Sequence, residues 1–193
     1  MSKVVSNQDP SGFSPQEIIA LGEELASLSR FTDQKEKLAE VFQNTYECET
    51  FIWLNAPLKS LQIKNPSIEF PIDPQSKKLR VQLSQKGLYR YEGPDNNWLI
   101  LPLNRGNKDI GLIFLQKDSP FHPSMHQQLK DIAKVAGLAL FATLQTELQN
   151  WRQKQLALVR AVSRQISQIT DLQILTAQIT DRKSTRLNSS HYS

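Results

Sequence analysis

The chain has few side chains that could act together as a catalytic or metal-binding set. It contains one cysteine, Cys48, and three histidines in 193 residues. His122 and His126 are four residues apart at a predicted helix start, and this spacing could present two imidazoles to one metal ion. No glutamate or cysteine accompanies them at a useful spacing, and Pro123 places His122 before the helix. Surface histidines are the favoured interpretation, and we predict no metal site.

Cys48 precedes the first predicted strand and has no recognisable base beside it in the sequence. A thiol attacks as the thiolate, which needs a nearby base or positive charge. We therefore predict a packed or half-buried thiol, no catalytic residue and no enzymatic activity in this chain. A single cysteine also excludes an intrachain disulfide and a cysteine-rich zinc site.

Four aromatic side chains could form a binding pocket. Phe51 and Trp53 share one face of a predicted strand, and Tyr89 and Tyr91 share one face of another. Aromatic side chains commonly line small-molecule pockets. They also fill cores, which is the interpretation the sequence favours, and a ligand pocket stays open as the alternative.

The elements that would position these residues follow from local sequence patterns. Ser14, Pro15 and Glu17 are typical of a helix start with a capping box. A second helix is predicted to begin at Thr32–Asp33, and a short helix is predicted at 78–85. Predicted strands cover residues 49–54, 67–72, 88–91, 98–103 and 109–116. The second of these is placed at a sheet edge because its proline lacks an N–H donor.

A long helix is predicted from Pro123 onward. Apolar residues at helical spacing predict its buried stripe, which consists of Leu129, Ile132, Ala133, Ala136, Leu140 and Leu144. A further apolar row continues at spacings of three and four. This row, called the seam below, consists of Leu144, Leu148, Trp151, Leu158, Val162 and Ile169. Gln155 and Gln165 interrupt it, and the pattern is typical of a coiled-coil connector over residues 144–169.

Three stretches together resemble a GAF domain. The sequence WLILPLNRGNKDIGLIFLQKD is similar to the central hairpin of that family, and FHPSMHQQLKDIAKVAGLALFATL is similar to its closing helix. KKLRVQLSQKGLYRYEGP resembles its short helix, glycine turn and strand. The resemblance covers residues 14–149. It implies an α+β fold with an antiparallel central sheet and with the N- and C-terminal helices on one face.

The resemblance also implies a function. GAF domains commonly precede histidine kinases, serine phosphatases or cyclases, so we expect a sensory module that couples a small-molecule or conformational signal through a dimeric connector helix. The expected partner is a second copy, bound through the N-terminal and connector helices. A ligand-free structural dimerisation module is the alternative.

No cofactor is predicted from the resemblance. Members that bind a bilin covalently use a cysteine in the helical or loop region that lines the pocket, and Cys48 stands elsewhere. Methionine sulfoxide reductases of GAF type need more than one cysteine. The residue set of cyclic-nucleotide-binding members does not occur here as a pattern, since Asn107-Lys108-Asp109 matches it only in part and in a predicted turn.

The sequence also suggests more than one module. Residues 156–180 can be aligned on residues 18–42 at an offset of 138, which brings Thr170-Asp171 onto Thr32-Asp33. Self-similarity over a domain length is typical of tandem modules. We therefore predict that 156–180 begins a second, truncated GAF-like domain. A chance match of two amphipathic helices is the alternative.

The two termini are set apart from the predicted domain. Residues 1–13 are polar and are predicted to be disordered. Residues 181–193 read DRKSTRLNSSHYS, and the first eleven equal the translation of a common sequencing adapter. We expect an artefactual tail, with a natural polar tail as the alternative.

Removing the tail halves the apparent positive charge. The chain has 23 basic and 19 acidic residues, a net charge of +4. The tail holds three basic residues and one acidic residue, so 20 basic and 18 acidic residues remain, a net charge of +2. With no basic stripe elsewhere, we expect no nucleic-acid partner and no membrane association in this chain. The expected location is the cytoplasm.

Overall fold

A computed structural model describes residues 12–55, 61, 63–94, 96–106 and 108–189, with side chains described up to residue 180. The chain divides into two compact units, Met1–Leu148 and Gln149–Ser193. The elements in chain order are α1 (Pro15–Ser27), α2 (Phe31–Tyr46), β1 (Glu49–Leu54), α3 (Lys77–Lys86), β2 (Tyr89–Glu92), β3 (Asn97–Arg105), β4 (Lys108–Lys117), a 3-10 turn (Pro123–Met125) and α4 (His126–Ser189).

The four strands form one antiparallel sheet in the order β1-β4-β3-β2. The two outer strands of the sheet are therefore β1 and β2, and the β3–β4 hairpin lies at its centre. The N-terminal helices and α4 pack on one face, and α3 packs on the other. The predicted α+β class, with the terminal helices on one face of an antiparallel sheet, is confirmed.

Alternation along the central strands separates two apolar layers. Leu99, Leu101 and Leu103 of β3 belong to the cluster shared with α1, α2 and α4, which we call the helix-side core. Trp98 and Ile100 belong to a smaller cluster on the opposite face, which we call the outer face. Burying one large apolar side chain stabilises a fold by about 1.5–3 kcal/mol, so the helix-side core dominates the stability of this unit.

A bulge in β4 moves one side chain from the outer face to the helix-side core. Leu103 pairs with Gly111, whereas Asn104 pairs with Asp109, so Ile110 is the additional residue on β4. By alternation Ile110 would share the face of Leu112. The additional residue turns it instead into the helix-side core, where it is buried.

The start of α1 is as predicted. The Ser14 hydroxyl accepts from the Glu17 N–H at 3.3 Å, and the Glu17 carboxylate accepts from the Ser14 N–H at 2.7 Å. Hydrogen bonding of the Glu17 carboxylate by the Ser14 backbone N–H, and secondly by the Ser14 side chain, holds the pKa of Glu17 below its ordinary value. Phe13, at the end of the segment predicted to be disordered, stacks its ring on Tyr46 with centroids 6.3 Å apart. Residues 1–11 lie outside the described residues.

The start of α2 differs from its prediction because the cap comes from another part of the chain. The helix begins at Phe31, one residue before the predicted Thr32–Asp33. The Phe31 N–H donates to the Glu147 carboxylate of α4 at 3.2 Å. A helix start needs acceptors for its free N–H groups. Here a residue 116 positions away supplies one, so no local motif marks this start.

Gln34 of α2 forms buried hydrogen bonds with both α1 and α4. Its side chain is fully buried, and its Nε2 donates to the Leu25 carbonyl and to the Thr143 hydroxyl, both at 2.7 Å. We call Gln34, Thr143 and Glu147 the polar joint. It ties α1 and α2 to α4 just before the first unit ends at Leu148.

The segment between β1 and α3 contains one wrong prediction. Residues 67–72 form no strand, because they run as irregular backbone. Phe70 and Ile72 from this segment pack against the outer face. The short helix predicted at 78–85 is present as α3, and Gly87 ends it with a left-handed backbone at φ 70°.

The second unit, within its described residues, is the continuation of α4. The helix passes through Thr170–Asp171 without interruption, and the Thr170 hydroxyl donates to the Ile166 carbonyl at 3.0 Å. The helix start expected there by analogy with Thr32–Asp33 is therefore absent. That residues 156–180 begin a second module stays a prediction, as does the origin of the tail, of which residues 190–193 lie outside the described part.

Candidate functional site

The four predicted pocket residues lie on one face but at opposite edges of the sheet. Phe51 and Trp53 project from β1, and Tyr89 and Tyr91 project from β2, all four half-buried around the outer-face cluster. Two strands separate β1 from β2. With about 4.8 Å between neighbouring strands, the two pairs are roughly 14 Å apart and do not meet.

The space between the two pairs is filled by residues that sequence reasoning did not single out. Trp98 of β3 and Phe114 of β4 are buried at the centre of the outer face. Phe70 lies over them, with its ring centroid 4.1 Å from that of Phe114 and 6.4 Å from that of Trp98. Leu79 and Leu83 of α3 are buried in the same cluster. Among the described residues, this face is packed as an aromatic core.

A polar network borders the outer face where β1 ends and β4 begins. The Arg80 guanidinium of α3 donates to the Asp109 carboxylate and to the Asn55 side-chain oxygen, each at 2.5 Å. Asn55 in turn donates to the Asp109 carbonyl at 3.3 Å. Asn65 bonds both the N–H and the carbonyl of Leu54, at 2.7 and 2.9 Å. The network therefore joins α3 and Asn65 to the sheet.

Cys48 lies in the helix-side core with 1% of its surface exposed. Its Sγ donates to the Phe42 carbonyl at 3.6 Å. Burial raises the pKa of this thiol to about 12, although the charge of Lys117 acts in the opposite direction. At neutral pH the group is a protonated, enclosed thiol, which is not a nucleophile.

Of the two histidines predicted to lie on the surface, His122 is exposed and caps a turn, whereas His126 is half-buried. The exposed His122 Nδ1 accepts from the Ser124 N–H at 3.3 Å and lies 2.7 Å from the Ser124 hydroxyl, so it caps the 3-10 turn. His126 is half-buried, and its Nε2 has no hydrogen-bond partner among the described residues. Within the part of the chain that the structure describes, no three His, Cys, Asp or Glu side chains are grouped to hold a metal ion.

The surroundings of His126 predict an acid-sensitive stability. Burial, followed by the charges of Arg90, Lys130 and His122, lowers the pKa of His126 below its ordinary 6.5. As the pH falls through 6.5, the unfolded chain binds a proton that the folded chain does not, so folding loses free energy. This contribution is fully present above the unfolded pKa and is lost as the pH falls towards the folded value.

We expect the His126→Gln variant to lose less stability between pH 7.5 and 5.5 than the wild type. Urea unfolding of the variant and the wild type at several pH values measures the difference. An unchanged pH dependence in His126→Gln would contradict the account.

The seam residues lie in two different environments. Leu144 is buried in the helix-side core, so it is unavailable to a partner helix. Leu148 and Trp151 are half-buried. Leu158, Val162 and Ile169 of the second unit are 58%, 45% and 56% exposed. The exposed part of the seam therefore begins beyond the first unit.

No helix in the described residues combines the length and the apolar character that crossing a bilayer requires.

Comparison with known proteins gives structural similarity only. No family model matches the chain, and no curated protein matches it. The GAF domain of the potassium sensor histidine kinase KdpD from Escherichia coli is 15% identical, with 70% of this chain and 99% of that chain covered and a TM-score of 0.47. The GAF domain of an Acinetobacter phosphoenolpyruvate-protein phosphotransferase is 11% identical, with 67% and 95% covered and a TM-score of 0.48.

A third similar structure is the free methionine-R-sulfoxide reductase from Neisseria meningitidis in complex with its substrate. It is 12% identical, with 67% of this chain and 89% of that chain covered and a TM-score of 0.48. At these identities the similarities concern the fold alone. The order and layering of this chain's own elements are those of the predicted GAF-like fold.

Proposed function

We propose that this chain is a non-catalytic sensory or regulatory module that acts as a homodimer and passes a signal along α4 to an effector domain. The observation that carries the proposal is the row of exposed apolar residues on α4 beyond Leu148. Leu158, Val162 and Ile169 belong to it. Leu172 and Ile179 continue the row, interrupted by Thr176, with 64% and 53% of their surfaces exposed.

Exposing such a row of apolar side chains to water is unfavourable in a monomer. Apolar positions at alternating spacings of three and four form one stripe along a helix, which a second helix with the same stripe can cover. Exposed apolar stripes of this length usually mark an interaction surface. Within the first unit, Ile19 of α1 and Leu138 of α4 are 61% and 53% exposed. These residues support pairing through the N-terminal and connector helices.

The polar joint and the interrupted seam support a role in signalling. Gln34, Thr143 and Glu147 fix the position of α4 at the end of the first unit. Gln155 and Gln165 put polar residues into the seam, which weakens the pairing and keeps alternative helix registers close in energy. A change in the first unit that moves the joint could then select one register.

A ligand-free structural dimer is the second candidate, and the packing of the outer face favours it. Phe70 fills the region between the predicted aromatic pairs, with its ring 4.1 Å from that of Phe114. Metabolite screening by thermal unfolding separates the two candidates, since a ligand that binds the folded state raises the melting temperature by mass action. No shift with any metabolite class would favour the structural dimer.

The proposed effector is a histidine kinase, a serine phosphatase or a cyclase, and the proposed location is the cytoplasm. The single, enclosed thiol of Cys48 supports a compartment in which disulfides play no structural part. No cofactor or metal is part of the proposal.

Disulfide cross-linking along α4 tests the proposal. Cys48 can stay in place, since its burial and its pKa of about 12 keep it from reacting. We expect Ile169→Cys to form an intermolecular disulfide under mild oxidation, because equivalent seam positions of a parallel pair face each other. Ser167→Cys, on the opposite side of the same turn, is the matched control. Equal cross-linking at both positions, or none at either, would contradict the proposal.

A further inference from the structure

A small cleft lies where the end of the sheet meets the last turns of α4 within the first unit. It has a volume of about 180 Å3 and is bounded by the end of β1, the start of β4 and α4. Its apolar lining consists of Leu54, Ile110, Phe141, Leu144 and Leu148. Pockets for drug-sized molecules begin at roughly 300 Å3, so an occupant of this cleft must be small.

Two cations lie beside Phe141, and among the described residues neither has an acidic partner; Lys108 lines the cleft itself. The Arg105 guanidinium and the Lys108 ammonium lie 4.6 and 5.0 Å from the centroid of the Phe141 ring. Both side chains are exposed, and among the described residues neither forms an ion pair. Asp109 also lines the cleft, and its carboxylate is paired with the Arg80 guanidinium at 2.5 Å. Two like charges held beside one ring favour the binding of an anion.

We propose that this cleft binds a small carboxylate with an apolar body, such as an aryl or branched-chain acid. The apolar body packs against Phe141 and Leu144, and the carboxylate faces Lys108 and Arg105. An anion without an apolar body leaves the lining uncovered, and a neutral molecule leaves the two cations without a counter-charge. The chemistry of the cleft therefore selects for both properties together.

The position of the cleft gives the ligand a regulatory role. Leu144, Gln145 and Leu148 lie on the last two turns of α4 before the first unit ends. A ligand wedged between these turns and the sheet shifts the helix just before the exposed part of the seam begins. This regulatory role rests on the proposed function, whereas binding itself does not.

Isothermal titration and amide chemical shifts of the full chain test the proposal with three probes. Phenylacetate has both an apolar body and a carboxylate, phenylacetamide lacks the charge, and acetate lacks the apolar body. We expect saturable binding of phenylacetate, at least about tenfold tighter than that of the other two. The amide shifts are expected at Ile110 and Gln145. Lys108→Gln should weaken phenylacetate binding by about tenfold, and Lys35→Gln, at an exposed lysine of α2, should leave it unchanged.

Three results would overturn the inference: no saturable phenylacetate binding, equal binding of phenylacetamide, or equal weakening by Lys108→Gln and Lys35→Gln. The oligomeric state of the same samples separates this inference from the proposed function. A dimer that binds no phenylacetate overturns the cleft alone. A monomer that binds phenylacetate overturns the proposed function and leaves the cleft in place.

Discussion

Replacing Gly111 by alanine is expected to reduce the free energy of unfolding by about 4 kcal/mol, enough to unfold many domains of this size. Gly111 pairs with Leu54 beside the β4 bulge. A Cβ there would collide with the Trp53 carbonyl oxygen and would lie 3.0 Å from the Leu54 Cα. Both are backbone atoms of β1, so no side chain can rotate away. Urea unfolding followed by circular dichroism measures the change.

Gly106→Ala is the matched control. Gly106 has a left-handed backbone at φ 57°, and a Cβ there would meet nothing within 4 Å. Only the conformational cost of roughly 1–2 kcal/mol is expected. If Gly111→Ala were no more destabilising than Gly106→Ala, the close approach of β1 and β4 would be refuted.

Replacing Gln34 by leucine is expected to cost about 2–3 kcal/mol, because the buried Thr143 hydroxyl loses its donor and the Leu25 carbonyl keeps only the Leu28 N–H, at 3.2 Å. In the wild type both acceptors bind the Gln34 Nε2. The shape of the side chain is nearly kept, so the loss reports on the hydrogen bonds and not on a cavity. The midpoint of urea unfolding measures it.

Gln43→Leu provides the comparison on the same helix at an exposed position. At this position the side-chain amide forms its hydrogen bonds with water. The same substitution is therefore expected to change the free energy of unfolding by no more than about 0.5 kcal/mol. Equal effects at the two positions would mean that the polar joint does not hold α2 to α4.

The elements with local signals were predictable from the sequence. The capping box at Ser14 and Glu17, the apolar runs of the central hairpin and the glycine after α3 each depend on residues within a few positions of one another. The buried stripe of α4 was equally visible, since helical spacing alone selects it. The class of the fold was predicted from the resemblance to the GAF family, which rests on the hairpin, the short helix with its glycine turn, and the closing helix.

The features that depend on distant residues were not predictable. No residue near Phe31 in the sequence predicts that the Glu147 carboxylate will cap the helix that begins there. The stretch around Phe70 has the composition of a strand, but Pro71 lacks an N–H donor, and the segment instead lays Phe70 over the sheet. In both places a tertiary contact replaces the local preference.

The candidate site could be predicted only in part, because its arrangement also depends on residues that are distant in the sequence. The sequence pairs Phe51 with Trp53 and Tyr89 with Tyr91, since alternation along one strand fixes each pair. It does not give the strand order, which places the two pairs at opposite edges. The alternation of β3 and β4 could have identified Trp98 and Phe114 as neighbours on the same face. The cleft beside Phe141 has no sequence signal, because its lining comes from three separate elements.

The central claim is that the exposed seam of α4 pairs two copies of the chain. Sedimentation equilibrium of the full chain, compared with Val162→Lys and with Ser167→Lys, tests it most directly. Burying one valine stabilises by at least about 1.5 kcal/mol in each of two copies, so Val162→Lys should weaken a dimer by roughly a hundredfold or more. The account predicts a wild-type dimer that Val162→Lys dissociates and Ser167→Lys preserves. A wild-type chain that stays monomeric at high concentration, or a dimer indifferent to Val162→Lys, would contradict it.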